Sequence, residues 1–547
     1  QTNPLSFDLW EAVLRVAVNE PIETTRKGFN GFLEKFPLCY GYWNQFALAE
    51  SKQTEDPAIA HAFAKAVFER AAAAVPHSVD NWVNYAKYLT DKGSDPVPSV
   101  VAVYERGLAL TMHNKQAVAL WTGYLGLLKA KGTPKEVSAL YKRVLGTPLT
   151  YLEEIWTAFQ GFAAPLSFAD LAVDDDVVSA AEQSLTALMA AREAEYKVVC
   201  PPPPTHPLCF HSTRVCLQAS KDAAESREPF EAAIVQHFYL ARPVAETSLT
   251  AWRMYLDFEE GAKDTKRVES LYGRCLIVCA HYAEFWLRYA DWKLATAGHA
   301  AAATALVPAV MTFLPNRPDV ALRRARELEL AGDTTAAREA FQSYTSTAGK
   351  GLVQAAVKFA NFERRAGNAP AGAAVLEAAY SGEVDFEASG QSKCYLALQW
   401  AYYLEYTLGD VDAARAALAA ITAADTCGSS PLVWQALASF SRRHPGGDAT
   451  AAVTAALKAG LACSTLGNDS KEELWLRLLD HLEASAETAS DIAAAESEHK
   501  AWAAAAAVEL ESKKRTATEA AQSAAKVART DGNPTAGAAA AAAAAPA

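Results

Sequence analysis

The chain has 547 residues, more than one hydrophobic core usually supports, so several domains or an extended array of repeats are expected. Apolar residues make up 51% of the chain and aromatic residues 10%, which excludes a largely disordered protein. A formal net charge of −12 argues against a protein that binds nucleic-acid phosphates over a broad face.

Tryptophans recur at nearly constant spacing along both parts of the chain. The first five are 33, 39, 39 and 35 residues apart, and after a gap of 96 residues intervals of 34, 34 and 41 residues follow. These repeat-core positions are Trp10, Trp43, Trp82, Trp121, Trp156, Trp252, Trp286, Trp400, Trp434 and Trp475. Segments around Leu322 and Phe359 fill the remaining gap without a tryptophan. A period of this length indicates about twelve repeated units.

Each unit is predicted to form two helices. Trp82 and Tyr85 are three residues apart and share one face of a first helix, whereas Val103, Tyr104 and Leu108 give a second helix an apolar stripe. Because neither helix can bury its stripe alone, the units must stack on one another. The sequence therefore predicts an all-α superhelical solenoid in two arrays, with almost no strand.

The segment between the two tryptophan series is too long for one repeat. One helix is predicted over residues 174–198 and another over 219–240, with prolines at 201–204 between them. We predict that a nonspecific protease cuts first near residues 199–218 and leaves two stable halves. The predicted domains are an N-terminal array over 1–173, connecting helices with a hinge over 174–245, a C-terminal array over 246–512 and a tail over 513–547.

The end of the second array carries more apolar surface than a single capping helix needs. A terminal repeat exposes the face that the next repeat would cover, so we predict a homodimer at this end. The predicted contact residues are Trp475, Leu478, Leu479, Leu482 and Trp502. The alternative is that residues 490–512 fold back and seal their own array.

The alanine-rich tail contains no aromatic residue and is predicted to be disordered, although the helix propensity of alanine also allows partial helix. Its small positive charge allows at most weak contact with RNA. Because the first residue is Gln1 rather than Met, a natural N-terminal segment is expected to be missing. Apart from alanine-rich sequence, no uncharged apolar run is long enough to predict a membrane span.

Motifs of catalysis are not found in the sequence. It contains no G-x-x-x-x-G-K-[ST], H-E-x-x-H or G-x-S-x-G pattern, so we predict no enzyme and no catalytic or cofactor-binding residue. The nine cysteines are scattered and form no CxxC pair, which suits a reducing compartment. Cys200, His206 and Cys209 offer three potential metal ligands, but the four intervening prolines favour a loop. No metal site and no cofactor are expected.

Clusters of arginine allow two interpretations. Arg323, Arg324 and Arg326, like the pairs at 364–365 and 442–443, could form basic patches for RNA. The two pairs also lie late in predicted helices, where cations offset the helix dipole.

The order of residues within a unit resembles the half-a-tetratricopeptide (HAT) repeat. Trp43, Phe46 and Glu50 precede the run Phe68-Glu69-Arg70-Ala71 and then Pro76. A second unit has Trp252, Tyr255 and Glu259 followed by Tyr272 and Arg274. The resemblance implies that the glutamates and arginines form buried polar links between helices, the alternative being a solvated charged face. It also implies a scaffold in RNA processing.

The segment from Phe32 to Trp43, FLEKFPLCYGYW, is similar to the opening repeats of the pre-mRNA-processing factor 39 family, and Trp10, Glu11 and Arg26 fit as well. This resemblance implies a noncatalytic, nuclear splicing scaffold of the U1 small nuclear ribonucleoprotein that bridges it to proteins promoting 5′ splice-site choice. It implies partners among U1 proteins and splicing regulators. It further implies pairing through the C-terminal repeats, with itself or with a paralogue.

Two other functions remain open. A HAT-repeat scaffold of mRNA 3′-end cleavage shares the repeat pattern, although the segment at residues 36–41 favours splicing. A direct RNA-binding protein would show steeply salt-dependent affinity, and the acidic charge argues against it.

Overall fold

The computed structural model describes residues 7–93, 95–149, 151–166, 217–382, 393–486 and 488–530, with side chains to residue 520. The helices in chain order are α1 Phe7–Ala17, α2 Ile22–Lys35, α3 Tyr40–Gln53, α4 Pro57–Ala74, α5 Val79–Lys92, α6 Val97–Thr111, α7 Val118–Lys131, α8 Pro134–Leu145, α9 Leu152–Ala163, α10 Glu228–Ala233, α11 Glu246–Ala262, α12 Thr265–Val278, α13 Ala283–Ala297, α14 His299–Ala305, α15 Pro318–Leu330, α16 Thr334–Ser346, α17 Val353–Arg365, α18 Ala369–Ser381, α19 Lys393–Tyr402, α20 Val411–Ala423, α21 Asp425–Gly428, α22 Pro431–Arg443, α23 Ala449–Ala462, α24 Asn468–Ser485 and α25 Ala489–Thr530. A 3₁₀ turn covers Lys115–Ala117, and π-helical turns cover Ala309–Phe313 and Tyr403–Leu408.

The fold is all-α, as the helical spacing of the apolar residues predicted. Among the residues just specified, none belongs to a β-strand. The chain divides into two compact units, Gln1–Trp292 and Lys293–Ala547. The first unit therefore extends past residue 246, where the sequence placed the start of the C-terminal array.

Short polar side chains fix where the second helices of the repeats begin. Asp56 accepts hydrogen bonds from the amides of Ala58 and Ile59 at the start of α4, and Asp264 does the same for α12. Thr133 and Glu136 form a reciprocal capping box at the start of α8. These caps satisfy amides that have no partner inside the helix and thereby set the length of each turn.

A repeated aromatic pair joins each repeat to the next. The ring of Phe68 on α4 stacks on Tyr85 of α5 with centroids 5.1 Å apart, and Tyr104 on α6 stacks on Tyr124 of α7 at the same distance. Equivalent stacked pairs are Phe29–Phe46, Phe230–Tyr255 and Phe341–Phe359. The aromatic residue three positions after the tryptophan thus forms the junction with the preceding repeat.

Among the described residues of the second unit, three apolar clusters are seen. One is built on α15 to α17 around Phe341 and Phe362, the next on α17 to α22 around Leu396 and Leu418, and the last around Trp475 on α22 to α25. Each cluster draws on successive helices, as expected when every repeat covers its neighbour.

The connecting segment differs from its prediction where it is described. The helix predicted over 219–240 is interrupted by a turn at 226–227 and ends at Ala233, and residues 234–245 are not helical. In that stretch the hydroxyl of Tyr239 forms a hydrogen bond of 2.8 Å with Nε2 of His281, and the amide of Val244 donates to the hydroxyl of Tyr282 at 2.8 Å. These contacts with distant residues hold the chain in an extended path. The helix predicted over 174–198 and the prolines at 201–204 lie outside the described residues.

The alanine-rich tail also differs from its prediction. Helix α25 continues without a break to Thr530, so residues 513–530 are helical. Alanine has the highest helix propensity, and ion pairs one turn apart, such as Glu509–Lys513 at 2.7 Å, add support along the exposed helix. Residues 531–547 lie outside the described part of the chain.

Candidate interaction surfaces

The tryptophans that mark the repeats lie inside the protein and hold the helices together. Trp43, Trp82, Trp121, Trp156, Trp252, Trp286, Trp434 and Trp475 are each at most 8% exposed. Trp10 and Trp400 are partly buried. The spacing did not single out Trp292, whose ring packs 5.9 Å from that of Tyr272. Side chains buried in this way shape the scaffold but are not themselves available to a partner.

At least four of these indoles make the same hydrogen bond in the described part of the chain. Nε1 of Trp82 donates to the carbonyl oxygen of Pro76 at 2.8 Å, and Trp43 donates to Pro37 at 2.9 Å. The equivalent bonds are Trp286 to Ala280 and Trp434 to Gly428. In each case the acceptor lies six residues earlier, in the turn before the helix. The indole therefore ties its helix to the preceding turn and orients each repeat.

The second helices of successive N-terminal repeats are joined by a ladder of ion pairs. Glu69 on α4 accepts two hydrogen bonds from Arg106 on α6, at 2.9 and 2.8 Å. Glu105, the residue before Arg106, accepts two from Arg143 on α8, at 2.6 and 3.0 Å. Each Glu-Arg dipeptide therefore binds one neighbour on each side. The side chains are half-exposed, and the guanidinium group of Arg106 also lies 5.3 Å from the ring centroid of Trp82.

In a second set of Glu–Arg pairs the glutamate is buried, although its arginine is partly exposed. Glu50 on α3 is 2% exposed and binds Arg26 on α2 through two hydrogen bonds of 2.8 and 2.9 Å. Glu259 on α11 is also 2% exposed and binds Arg227 in the same bidentate manner. Further pairs of this kind are Glu363–Arg338 and Glu405–Arg443. The HAT-type glutamates of the first helices therefore form buried links, whereas the ladder on the second helices is partly solvated.

The most buried ion pair lies at the start of the second set of repeats. Glu231 on α10 accepts bonds of 2.7 and 2.9 Å from Arg274 on α12 and a third, of 2.9 Å, from the hydroxyl of Tyr255. Burial alone would raise the pKa of Glu231, but the charge and hydrogen bonds of Arg274 with the bond from Tyr255 lower it to about 2. The carboxylate therefore stays ionised at neutral pH.

The N-terminal repeats pack directly against α12 within the first unit. The hydroxyl of Ser270 donates to the carbonyl oxygen of Leu110 at 3.3 Å. The ring of His77 lies against the backbone of Gly273 so closely that a Cβ atom there would collide with it. A glycine at this position lets the two parts meet. The N-terminal repeats and α12, which the connecting segment separates in sequence, are therefore packed together in the first unit.

Each arginine cluster of the sequence contributes one arginine to an ion pair. Arg323 binds Glu327, Arg365 binds Glu329 and Arg443 binds Glu405. The last two pairs join residues 36 and 38 positions apart, about one repeat. The cations late in α17 and α22 therefore contact the carboxylate of the preceding repeat.

Comparison with known families identifies the origin of this repeat pattern. The family model described as PRP39 N-terminal HAT repeat matches residues 1–161, and the one described as PRP39 C-terminal HAT repeat matches residues 225–365. Together the two matches take in more than half of the chain. The chain belongs to the PRP39 family of HAT-repeat proteins.

Curated PRP39 relatives match over about two thirds of the chain. Pre-mRNA-processing factor 39 of Schizosaccharomyces pombe is 29% identical over 395 residues, which are 67% of this chain and 62% of the relative. Pre-mRNA-processing factor 39-2 of Arabidopsis thaliana is 29% identical over 383 residues, or 66% of this chain and 36% of the relative. The chain thus spans between about a third and two thirds of the length of these PRP39 proteins.

A relative with a different name matches at lower identity. Cleavage stimulation factor subunit 77 of Arabidopsis thaliana is 20% identical over 381 residues, covering 65% of this chain and 46% of the relative. A solved structure titled as that of CstF-77 has a TM-score of 0.41 and 13% identity, covering 81% of this chain and 89% of that one.

The residues predicted to mediate pairing of this PRP39-family chain are largely covered by the chain itself. Trp475, Leu478 and Leu482 on α24 are at most 8% exposed, and Leu479 and Trp502 are partly buried against the same cluster. The cover comes from the first turns of α25, where the ring of His499 lies 5.6 Å from that of Trp475. In the single chain, α25 thus seals the array.

Other apolar side chains of this PRP39-family chain are exposed. On α1, Leu9, Val13 and Val16 lie on one face at the spacing i, i+4 and i+7 and are between 43% and 63% exposed. In the segment after α10, Val235 is 82% exposed and Phe238 is 45% exposed. Exposed apolar clusters of this kind are typical of surfaces that bind other proteins.

No group of three or more His, Cys, Asp or Glu side chains is arranged to bind a metal among the residues with described side chains. No described helix has the length and apolarity needed to cross a membrane. Cys200, His206 and Cys209 fall outside the described residues.

Proposed function

We propose that this chain is a noncatalytic protein–protein scaffold that works in pre-mRNA splicing, in the nucleus. The observation that carries the proposal is the match of residues 1–161 and 225–365 to the N-terminal and the C-terminal HAT-repeat models of one family, PRP39. Curated relatives with the name Pre-mRNA-processing factor 39 come from fungi and vertebrates, and a plant relative is named Pre-mRNA-processing factor 39-2.

The finer proposal is that the chain associates with the U1 small nuclear ribonucleoprotein and takes part in 5′ splice-site selection. Its partners would be U1 proteins and splicing regulators. The similarity of residues 32–43 to the opening repeats of the family supports this choice, and that segment forms the end of α2 and the start of α3. Contact with RNA would be weak or indirect, since the net charge is −12.

A positional role is supported by how the ionisable groups are used. The buried carboxylates of Glu50, Glu231 and Glu259 bind arginines of neighbouring segments and therefore stabilise the arrangement of repeats. A scaffold needs such rigid links because its function depends on the distance and orientation between bound partners.

A homodimer through the C-terminal repeats forms part of the proposal. Because α25 covers Trp475, Leu478 and Leu482, these residues could join two chains only if α25 of one chain packed on α24 of the other. Light scattering on the intact chain and on a chain ending at residue 487 tests this. An intact chain that is monomeric at micromolar concentration contradicts the dimer.

A scaffold of mRNA 3′-end cleavage is the second candidate, because the Arabidopsis cleavage stimulation factor subunit also matches 65% of the chain. Depletion of the protein from cells of its source organism, followed by RNA sequencing, separates the two. If the chain is a splicing scaffold, depletion should alter the use of 5′ splice sites, and reintroducing the chain should restore the normal pattern. Unchanged splicing with shifted cleavage sites would instead support the second candidate.

A further inference from the structure

A groove in the second unit lies between α22, α23 and α24. Its volume is about 310 Å³, enough for one or two side chains of a bound segment. The floor is apolar and is formed by Ala438, Val453 and Leu457. Arg442 of α22 and Arg477 of α24 stand at the rim, and both side chains are exposed.

The two rim arginines differ from most other arginines of the chain. Neighbouring Arg443 binds Glu405 through hydrogen bonds of 2.7 and 2.8 Å, and Arg365 and Arg338 bind carboxylates in the same bidentate way. Neither Arg442 nor Arg477 forms an ion pair with any residue that the structure describes. Their positive charges are therefore available to a ligand.

The remaining polar groups of the groove position one of these cations without neutralising it. Nη2 of Arg442 donates to Nδ1 of His481 at 3.2 Å, and Nε2 of that ring faces the carbonyl oxygen of Thr450 at 3.4 Å. Asp480 contributes the one carboxylate of the lining, so the groove has an excess of positive charge.

We propose that this groove binds an acidic segment of a partner protein. A glutamate or aspartate side chain of that segment pairs with Arg442 and Arg477, and a neighbouring small apolar side chain rests on the floor of Ala438, Val453 and Leu457. Guanidinium groups bind carboxylates in a planar, two-bond geometry, which gives the contact direction as well as charge.

The lining favours peptide over RNA. No Phe, Tyr or Trp side chain lines the groove and the ring of His481 is only 8% exposed, so unstacked bases have little aromatic surface on which to stack. An RNA backbone would also need a row of cations, whereas the chain as a whole has a net charge of −12. An apolar floor beside two cations suits alternating apolar and acidic side chains instead.

The proposal deepens the scaffold role proposed above, because it names a class of partner and its contact site. It is tested on the full chain by fluorescence anisotropy with three labelled probes. These are a twelve-residue peptide of alternating Glu and Leu or Ala residues, the same peptide with Lys in place of Glu, and a ten-nucleotide oligouridine. We expect only the acidic peptide to bind, and its affinity to fall as salt is raised.

The decisive variant is R442Q/R477Q, with R364Q as the matched control. Arg364 is also exposed near the end of a first helix and lies outside the groove. We expect the double variant to weaken peptide binding by about tenfold or more and the control to leave it unchanged. Because all three side chains are exposed, each variant should keep the wild-type melting temperature, which circular dichroism checks.

Several results would overturn the proposal. They are equal binding by the double variant, no binding of the acidic peptide at millimolar concentration, or preferred binding of oligouridine. A fourth is a change from dimer to monomer in R442Q/R477Q with peptide affinity unchanged, which would make the groove a contact between two copies. A failed titration leaves the scaffold role standing if the tagged chain still retains splicing proteins, so the two failures are distinguishable.

Discussion

Glu105 on α6 binds Arg143 on α8 through two hydrogen bonds of 2.6 and 3.0 Å, while the next residue, Arg106, binds back to Glu69 on α4. A two-residue Glu-Arg unit therefore connects three successive repeats. Because these side chains are partly solvated, the ladder directs the stacking of repeats more than it adds stability.

The exposed ladder and the buried pair should respond differently to loss of one partner. Arg143→Met is expected to lower the free energy of unfolding by about 1 kcal/mol or less, since the pair is half-exposed. Arg274→Met leaves the carboxylate of Glu231 buried without its cation and should cost about 3–5 kcal/mol. Urea unfolding of both variants measures the two losses. If both variants lose the same free energy of unfolding, the difference in burial between the two pairs is contradicted.

Acid should destabilise the first unit partly through Glu231. Its pKa is about 2 in the folded chain, below the usual value of about 4.3 for an unfolded glutamate, so the unfolded state binds the proton more readily. The stabilisation is complete above about pH 4.3 and is lost as the pH falls toward 2. Its full size is on the order of 3 kcal/mol.

The variant Glu231→Gln isolates this contribution. Other glutamates with lowered pKa values, such as Glu69 and Glu405, titrate in the same range, so the slope of the wild type alone is not sufficient. Between pH 5 and pH 3 the variant should lose less stability than the wild type. Parallel pH profiles from urea unfolding would show that Glu231 is not the group responsible.

The indole hydrogen bond should distinguish two otherwise similar tryptophans. Nε1 of Trp82 donates to Pro76, whereas Nε1 of Trp252 is buried without a hydrogen-bond partner in the described structure. Replacement by phenylalanine removes similar ring volume at both sites but breaks a bond only at Trp82. We expect Trp82→Phe to cost about 1 kcal/mol more than Trp252→Phe in chemical unfolding. The reverse order would refute a stabilising role for the bond.

Cleavage in the connecting segment should nick the chain without separating its parts. The sequence places the first cut near residues 199–218, but α12 packs against the N-terminal repeats through Ser270 and Gly273. The two fragments should therefore elute together in gel filtration and separate in urea. Gly273→Val, which places a branched side chain against His77, should release them more readily. Fragments that separate at once in native buffer would contradict the packing.

The sequence predicted the helical repeats but not every contact between them. Spacing alone predicted that the tryptophans and the aromatic residue three positions later lie in the repeat core, because both follow the helical period within one repeat. The contact of His77 with Gly273 joins residues almost two hundred positions apart and has no periodic signal. Arg442 and Arg443 are adjacent in sequence, yet only the structure shows that Arg443 pairs with Glu405 whereas Arg442 faces a groove.

The central claim is that the chain is a splicing scaffold, and its most direct test is affinity purification of the tagged chain from nuclear extract. Treating the extract with ribonuclease removes proteins that are held only through RNA. The proteins that remain bound are then quantified by mass spectrometry against an untagged control. We predict enrichment of U1 small nuclear ribonucleoprotein proteins and splicing regulators above all other complexes. Enrichment of 3′-end cleavage factors without U1 proteins would contradict the account.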